Sequence, residues 1–322
     1  MRSTEVVPFT AEHLEAAADL LSQRHRTQRR AVPLLSPSYE DPKVTQPLLA
    51  SLLEGDSASG AVAVHRGRVA AYVLGSPKAD SWGPNMWVEG AGMASSEAEL
   101  IRDAYAVAAQ RWHDEGRTSH FVIVPSCDDA MLDAWYRLGF GQQHAHAIQP
   151  PREAVLTDSS VVVRRAEHRD IDMLAELDLA LPKHQSRSPV FSNSGIPPIE
   201  EAREEWLESI DDKRFANFVA EYNGRVVGSA IGCSLEVSSS HQHVTRPDNA
   251  GFLGFAAVLP ESRGVGTGRA LGETVIGWSR DEGFNSVVTD WRVTNLLSSR
   301  AWPSLGFETT FLRLARTIGP AG

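Results

Sequence analysis

Two seven-residue strings, AWYRLGF at 134–140 and AWPSLGF at 301–307, carry Ala, Trp, Leu, Gly and Phe at the same places. Their offset is 301 − 134 = 167 residues, and further pairs lie upstream in the same order. HRGRVAAYVLG (65–75) matches YNGRVVGSAIG (222–232), and RWHDEGRTSHFVIV (111–124) matches GWSRDEGFNSVVTD (277–290). An internal repeat constrains the fold more than any local pattern, because both halves must complete one set of elements. A chain of 322 residues also fits two domains of roughly 100–200 residues each.

The repeated strings name the elements. Gly-Arg-Val after a turn, flanked by β-favouring residues, reads as a hairpin. Trp followed by Asp-Glu-Gly and a short apolar run reads as a helix end, its glycine stop and a strand. Each half then gives a strand (4–9 or 160–165), a helix (10–26 or 168–180), a variable stretch, the hairpin and a strand (86–93 or 251–258). A long amphipathic helix (96–115 or 266–282), a strand, a short helix and a last strand follow. This mixed order predicts an α/β fold of α+β type with mixed sheets flanked by helices. The expected domains are 1–150 and 158–322, joined by the Pro-containing polar stretch QPPREAVLTDSS (149–160).

Composition narrows the class of partner. No apolar run approaches 18 residues, the first residues lack the build of a signal peptide, and the two cysteines are far apart without metal-like spacing. These features predict a cytoplasmic protein with no membrane span and no metal. A net charge of −10, spread evenly over both halves, argues against general nucleic-acid binding. One basic string, Arg24-His25-Arg26-Thr27-Gln28-Arg29-Arg30, closes the first predicted helix. It is read either as cations at a helix C-terminus or as a contact for tRNA phosphates.

The halves differ in one stretch. LPESRGVGTGRAL (259–271) sets Gly264, Gly266 and Gly268 where a helix begins. Each disfavours a helix by up to about 1 kcal/mol, while a helix N-terminus with bare amides attracts anions. With Arg263 beside it, the loop is read as a phosphate or pyrophosphate site. No Lys-Ser/Thr pair follows, which excludes a P-loop of NTPase type. The spacing GxGxG, separated from the strand by Pro260-Glu261-Ser262-Arg263, does not suit a dinucleotide turn.

Val258-Leu259-Pro260-Glu261-Ser262-Arg263-Gly264-Val265-Gly266-Thr267-Gly268 resembles, without a gap, the signature of the GCN5-related N-acetyltransferase (GNAT) superfamily. Asn295, upstream of Gly306-Phe307, matches a further superfamily element. The resemblance spans most of 160–317 and implies two tandem GNAT-like domains, of which only the second keeps the loop. It implies acetyl-CoA, or another acyl-CoA, with its pyrophosphate on Arg263, Gly264, Val265, Gly266, Thr267 and Gly268. The pantetheine arm would lie along the strand at Ala257 and Val258 with Asn295 beside it, and the Val258 backbone N–H would meet the thioester oxygen. In the first half, GAGMASSEAEL (90–100) has no such loop, and Asp128 stands in place of Asn295.

For the chemistry, the resemblance places a general-acid tyrosine where this chain has Trp302, whose indole has no useful acidity. Candidate bases are Asp290 on the next strand, and His241 and His243 in SSSHQHVTRP. No Ser/His/Asp set or cysteine nucleophile is evident, so direct attack by a small-molecule amine in a ternary complex is expected. The variable stretches 181–200 and 237–250 are the candidate acceptor loops. Two alternatives stand beside this reading: an aminoacyl-tRNA or carrier-protein donor, and a non-catalytic acyl-CoA-binding module.

Overall fold

The computed structural model describes residues 4–79, 82–155, 160–192 and 195–319. In chain order the first elements are β1 (Thr4–Pro8), α1 (Leu14–Ala31), α2 (Pro42–Leu53), β2 (Ser59–His65), β3 (Arg68–Gly75), β4 (Asn85–Val88), β5 (Met93–Ser95), α3 (Ala98–Asp114), β6 (Ser119–Pro125), α4 (Asp129–Arg137) and β7 (Gly141–Gln149). Next come β8 (Val161–Arg165), α5 (Ile171–Gln185), α6 (Ile199–Ser209), β9 (Phe215–Tyr222), β10 (Arg225–Ser234), β11 (Ala250–Val258), α7 (Thr267–Asp281), β12 (Ser286–Arg292), α8 (Leu296–Ser304) and β13 (Glu308–Thr317). The repeat is real at this level. Arg66-Gly67 and Asn223-Gly224 both turn their hairpins with two successive positive φ angles, 52° and 74°, and 53° and 74°. That backbone twist suits right-twisted strands, and explains why Gly-Arg-Val recurs.

The chain forms two compact units. The first extends to Ala145 and takes in Gln242–Pro247 and the chain from Thr309 onward. Its antiparallel sheet runs β1-β2-β3-β5, while β4 pairs in parallel with β6 and β6 pairs antiparallel with β13. Leu21, Leu49, Val62 and Tyr72 centre the core that α1 and α2 make on the sheet. Simple repetition would put β7 beside β6, and β13 stands there instead. The last strand therefore belongs to the first unit, which departs from the expected boundary at 158–322.

The second unit is His146–His241 with Asp248–Glu308. Strands β8, β9, β10 and β11 are antiparallel in that order, and β12 joins β11 in parallel. Leu174, Leu177, Trp206, Val219 and Ala257 form a core where α5 and α6 lie on the sheet. Gly232 and Gly251 let α7 come close from the opposite face, since a Cβ at either would fall 2.7 Å from Trp278 or 2.6 Å from Ser279.

The stretch expected as a linker is packed as far as the described residues run; 156–159 lie outside them. Arg152 Nη1 and Nη2 donate to the buried Glu273 carboxylate of α7 at 2.5 and 3.1 Å, and Ala154 fills the space a side chain at Gly277 would need. The chain passes from the first unit to the second inside β7, between Ala145 and His146. Two helices, α2 and α6, occupy stretches that the sequence pattern leaves as variable.

Strands β11 and β12 pair only from Ala250↔Ser286 to Leu253↔Thr289. Beyond that, β11 follows β10 to Gly228↔Val258, after a bulge that skips Gly254. Residues 254–258 thus leave β12 and open a wedge in the sheet. In the first unit two short strands do the same work, β4 pairing with β6 and β5 with β3.

Candidate active site

A cleft of about 340 Å³ lies beside the opened arm of β11. Ala256, Ala257 and Val258 form one side, and Ala180, Leu181 and His184 of α5 another. Arg263, Gly264, Gly266, Thr267 and Gly268 close its glycine-rich end. Asn295, Leu297, Ser298, Ala301 and Trp302 form the wall from α8.

The glycines do different things. After Val258 the chain makes a short 3₁₀ turn over Pro260–Ser262, and Gly264 and Gly266 then adopt φ of +87° and +92°. Residues with side chains rarely hold that conformation. A Cβ at either would meet nothing within 4 Å, so both face open space. Gly266 caps α7 without any side-chain bond, and the first backbone bond into the helix runs from Ala270 N to Gly266 O. The N–H groups of Thr267, Gly268 and Arg269 therefore lack intrahelical acceptors, at the positive end of a 15-residue helix. Thr267 is turned inward, with Oγ1 3.4 Å from Ser262 O, and Val265 is exposed and does not line the cleft. Arg263 is exposed at the rim.

Asn295 is buried as the N-cap of α8. Its Oδ1 accepts from Leu297 N at 3.2 Å and Ser298 N at 3.5 Å, and lies 3.2 Å from His184 Nε2. With the oxygen used, the Nδ2 amide is what this side chain offers as a donor. Trp302, 8% exposed, walls the cleft near Leu305 and Phe307. No tyrosine is among the residues that line it.

Of the three candidate bases, two come together. His241 is buried, its Nε2 3.5 Å from Asp290 Oδ2, with its ring 4.4 Å from the His146 ring and 5.9 Å from Phe252. His243 falls in the segment that belongs to the first unit, at φ +50°. Burial lowers its pKa, against the opposing pull of Glu89. None of the three lines the cleft. Leu181 and His184 fall in the stretch 181–200 that the sequence pattern gives as an acceptor loop, beyond a helix expected to end at 180. In fact α5 carries Pro182 inside and runs one turn further. Of the acceptor stretch 181–200, residues 193–194 lie outside the described residues.

Three of the four arginines in the basic string bond within the protein. Arg24 donates to Gly90 O at 2.6 Å and to Met93 O, Arg26 Nη2 to Glu40 O at 2.5 Å, and Arg29 pairs with Glu40. Among the described residues no helix is long and apolar enough to cross a membrane, and no group of acids, histidines and cysteines is arranged to hold a metal ion.

A cleft between an opened strand and a glycine-capped helix suits a phosphate-bearing ligand, and likeness to known proteins gives the family. The chain belongs to the acetyltransferase (GNAT) family, whose model matches residues 182–307. It is 35% identical over 155 residues to aminoglycoside N(6')-acetyltransferase type 1 of Stenotrophomonas maltophilia, a match covering 47% of this chain and 89% of that protein. Two solved structures share the fold across the whole length. A GCN5-related N-acetyltransferase from Sphaerobacter thermophilus superposes with a TM-score of 0.56 at 14% identity, covering 99% of this chain and 97% of that one. A tandem GNAT protein from the clavulanic acid biosynthesis pathway gives 0.51 at 14% identity, covering 99% and 100%. The protein is an N-acetyltransferase, and acetyl-CoA is its cofactor.

Proposed function

We propose that the second unit transfers an acetyl group from acetyl-CoA to an amine of a small molecule, by direct attack in a ternary complex. The reading is supported most by the loop Arg263–Gly268. Two left-handed glycines, uncapped helix amides and a rim arginine converge on a cleft that continues along the opened arm of β11. Residues present there fit the cofactor: Arg263, Gly264, Gly266, Thr267 and Gly268 would take its diphosphate, with Ala257, Val258 and the Asn295 amide along its arm. Bound acetyl-CoA supplies an activated thioester carbonyl.

The protein's share is orientation and proton handling. The Val258 backbone, in the arm that β12 has left, offers an N–H where charge develops on a carbonyl oxygen. Asp290, which follows the last paired residue Thr289 and has the buried His241 Nε2 at 3.5 Å, is the base we assign. Trp302 acts as a wall, and a thiolate with an ordinary pKa near 8.5 leaves without an acid. An aminoglycoside is one acceptor to try, since the curated relative is named for one. A tRNA donor is not favoured, because Arg24, Arg26 and Arg29 already bond within the protein.

Calorimetry with acetyl-CoA, followed by a thiol-release screen over amines, tests the reading. Gly266→Asp puts a carboxylate and a disfavoured φ where the diphosphate would rest, and is expected to abolish binding with the fold retained by circular dichroism. Unchanged acetyl-CoA affinity in this variant would remove the loop from the site.

A further inference from the structure

Strand β12 leaves its partner at Thr289, and Asp290, Trp291 and Arg292 run on beside the fork. Side chains alternate along a strand, and here exposure follows the alternation. Trp291 is buried, while Asp290 and Arg292 on the other face are partly open. The carboxylate has His241 at 3.5 Å. Among the described residues no acid pairs with Arg292 and no oxygen accepts a hydrogen bond from it; burial acts on it unopposed and pushes its pKa down.

A half-buried cation without a partner is destabilising. In a chain with 41 acidic and 31 basic side chains, acids to satisfy it are plentiful. Arg292 is also tied to the cleft. Its carbonyl accepts from Asn295 N at 2.9 Å, and Asn295 caps α8 and lines the cleft wall. Residues i and i+2 project to one face of a strand, about 6.6 Å apart along its backbone, so this face carries both an anion and a cation.

We propose that Asp290 and Arg292 form the acceptor subsite and select an amine that also carries an anionic group, of amino-acid type. Asp290 takes the ammonium and Arg292 the carboxylate. The proposal rests on the acetyl-transfer reading above and narrows its acceptor. The same guanidinium chemistry would suit a phosphate of the cofactor, so the experiment separates the two anions.

Wild type, Arg292→Ala and Arg292→Lys are compared on the full chain, with acetyl-CoA affinity measured by calorimetry. Acceptors are matched pairs that differ in the carboxylate, such as lysine and cadaverine or tyrosine and tyramine, extended over the common amino acids, with an aminoglycoside included. Wild type is expected to favour the carboxylate-bearing members. Arg292→Ala should lose about 30–100-fold in kcat/KM on them, the scale of a charge-assisted pair, and little on the decarboxylated partners. Lysine should restore part of the loss, and acetyl-CoA affinity should not move. A loss of acetyl-CoA affinity equal to the loss of activity assigns Arg292 to the cofactor and overturns the proposal. So does a wild-type preference for the aminoglycoside or the decarboxylated amines, or acetylation of no amino acid, and both leave the acetyl-transfer reading standing. Failure to bind acetyl-CoA at all overturns both.

Discussion

Gly264, Gly266 and Gly268 look equivalent in the sequence, and the backbone separates them. The first two hold positive φ and must be glycine for conformational reasons alone. Gly268 sits inside the first turn of α7 with ordinary helical geometry, and a Cβ there would make only a 3.8 Å contact with Val258. Glycine at this place therefore lowers helix stability without a folding reason. It leaves the helix entrance bare. Gly268→Ala is expected to gain up to about 1 kcal/mol of helix stability and to raise the melting temperature. The new methyl would stand in the cleft, so acetyl-CoA affinity measured by calorimetry should fall. A variant that gains stability and keeps its affinity would show that the helix start lies outside the cofactor's reach.

Counted from their N-caps, His13 and Asp170, α1 and α5 bring Arg24 and Leu181 to matching positions. Leu181 lines the cleft of the second unit. Arg24, buried in the first unit, bonds to the carbonyls of Gly90 and Met93, in the turn that replaces the opened arm of β11. At the position where the second unit has a cleft-lining leucine, the first unit thus has a guanidinium bonded to its own backbone. Along α5, Asp178 accepts from Trp206 Nε1 of α6 at 2.6 Å, and burial raises its pKa to about 6. A carboxyl whose folded-state pKa exceeds its unfolded value near 3.9 holds its proton more tightly when folded. Its contribution is fully present below about pH 4 and is lost as pH rises through 6. Asp178→Asn keeps an oxygen for Trp206 and removes the titration. Its melting temperature should exceed wild type by roughly 2–4 °C at pH 8 and match it at pH 4. An equal shift at both pH values would mean that the carboxyl is not protonated by the fold.

For the whole molecule, what the sequence made legible was local and repeated. The Asn223-Gly224 turn, the Asp-Glu-Gly stop after α7 and the glycine loop each carry their geometry in a few adjacent residues, and each lies where the pattern put it. What stayed hidden depends on distant pairing. His241 and Asp290 are 49 positions apart, from 290 − 241, and meet only because the chain returns to the fork between β11 and β12. Arg292 looks like any strand-end arginine until its lack of partners among the described residues is known. The last strands of the two halves, β7 and β13, carry similar patterns, so nothing in them says which one β6 takes.

That choice makes a prediction at the same scale. Strand β13 pairs with β6 from Phe311↔Pro125 to Thr317↔Ser119, and places Phe311 and Leu314, both fully buried, in the first unit. Ser126 Oγ donates to Thr309 O at 2.6 Å and Ser126 N to Thr310 O at 3.0 Å, which extends the pairing past the strand. Two such side chains stabilise by roughly 1.5–3 kcal/mol each, against a typical domain stability of about 5–15 kcal/mol. Ending the chain at Glu308 removes them and bares the edge of β6, although every residue of the expected first domain, 1–150, is still present. Hydrogen exchange should then show amides of β6 and β4 losing protection, while those of α7 and β10 keep theirs. If β13 served the second unit, as a boundary at 158–322 implies, the order of loss would be reversed. A shortened chain whose β6 amides stay protected would mean that β7 can take the vacated edge, and that the last strands of the two halves are interchangeable.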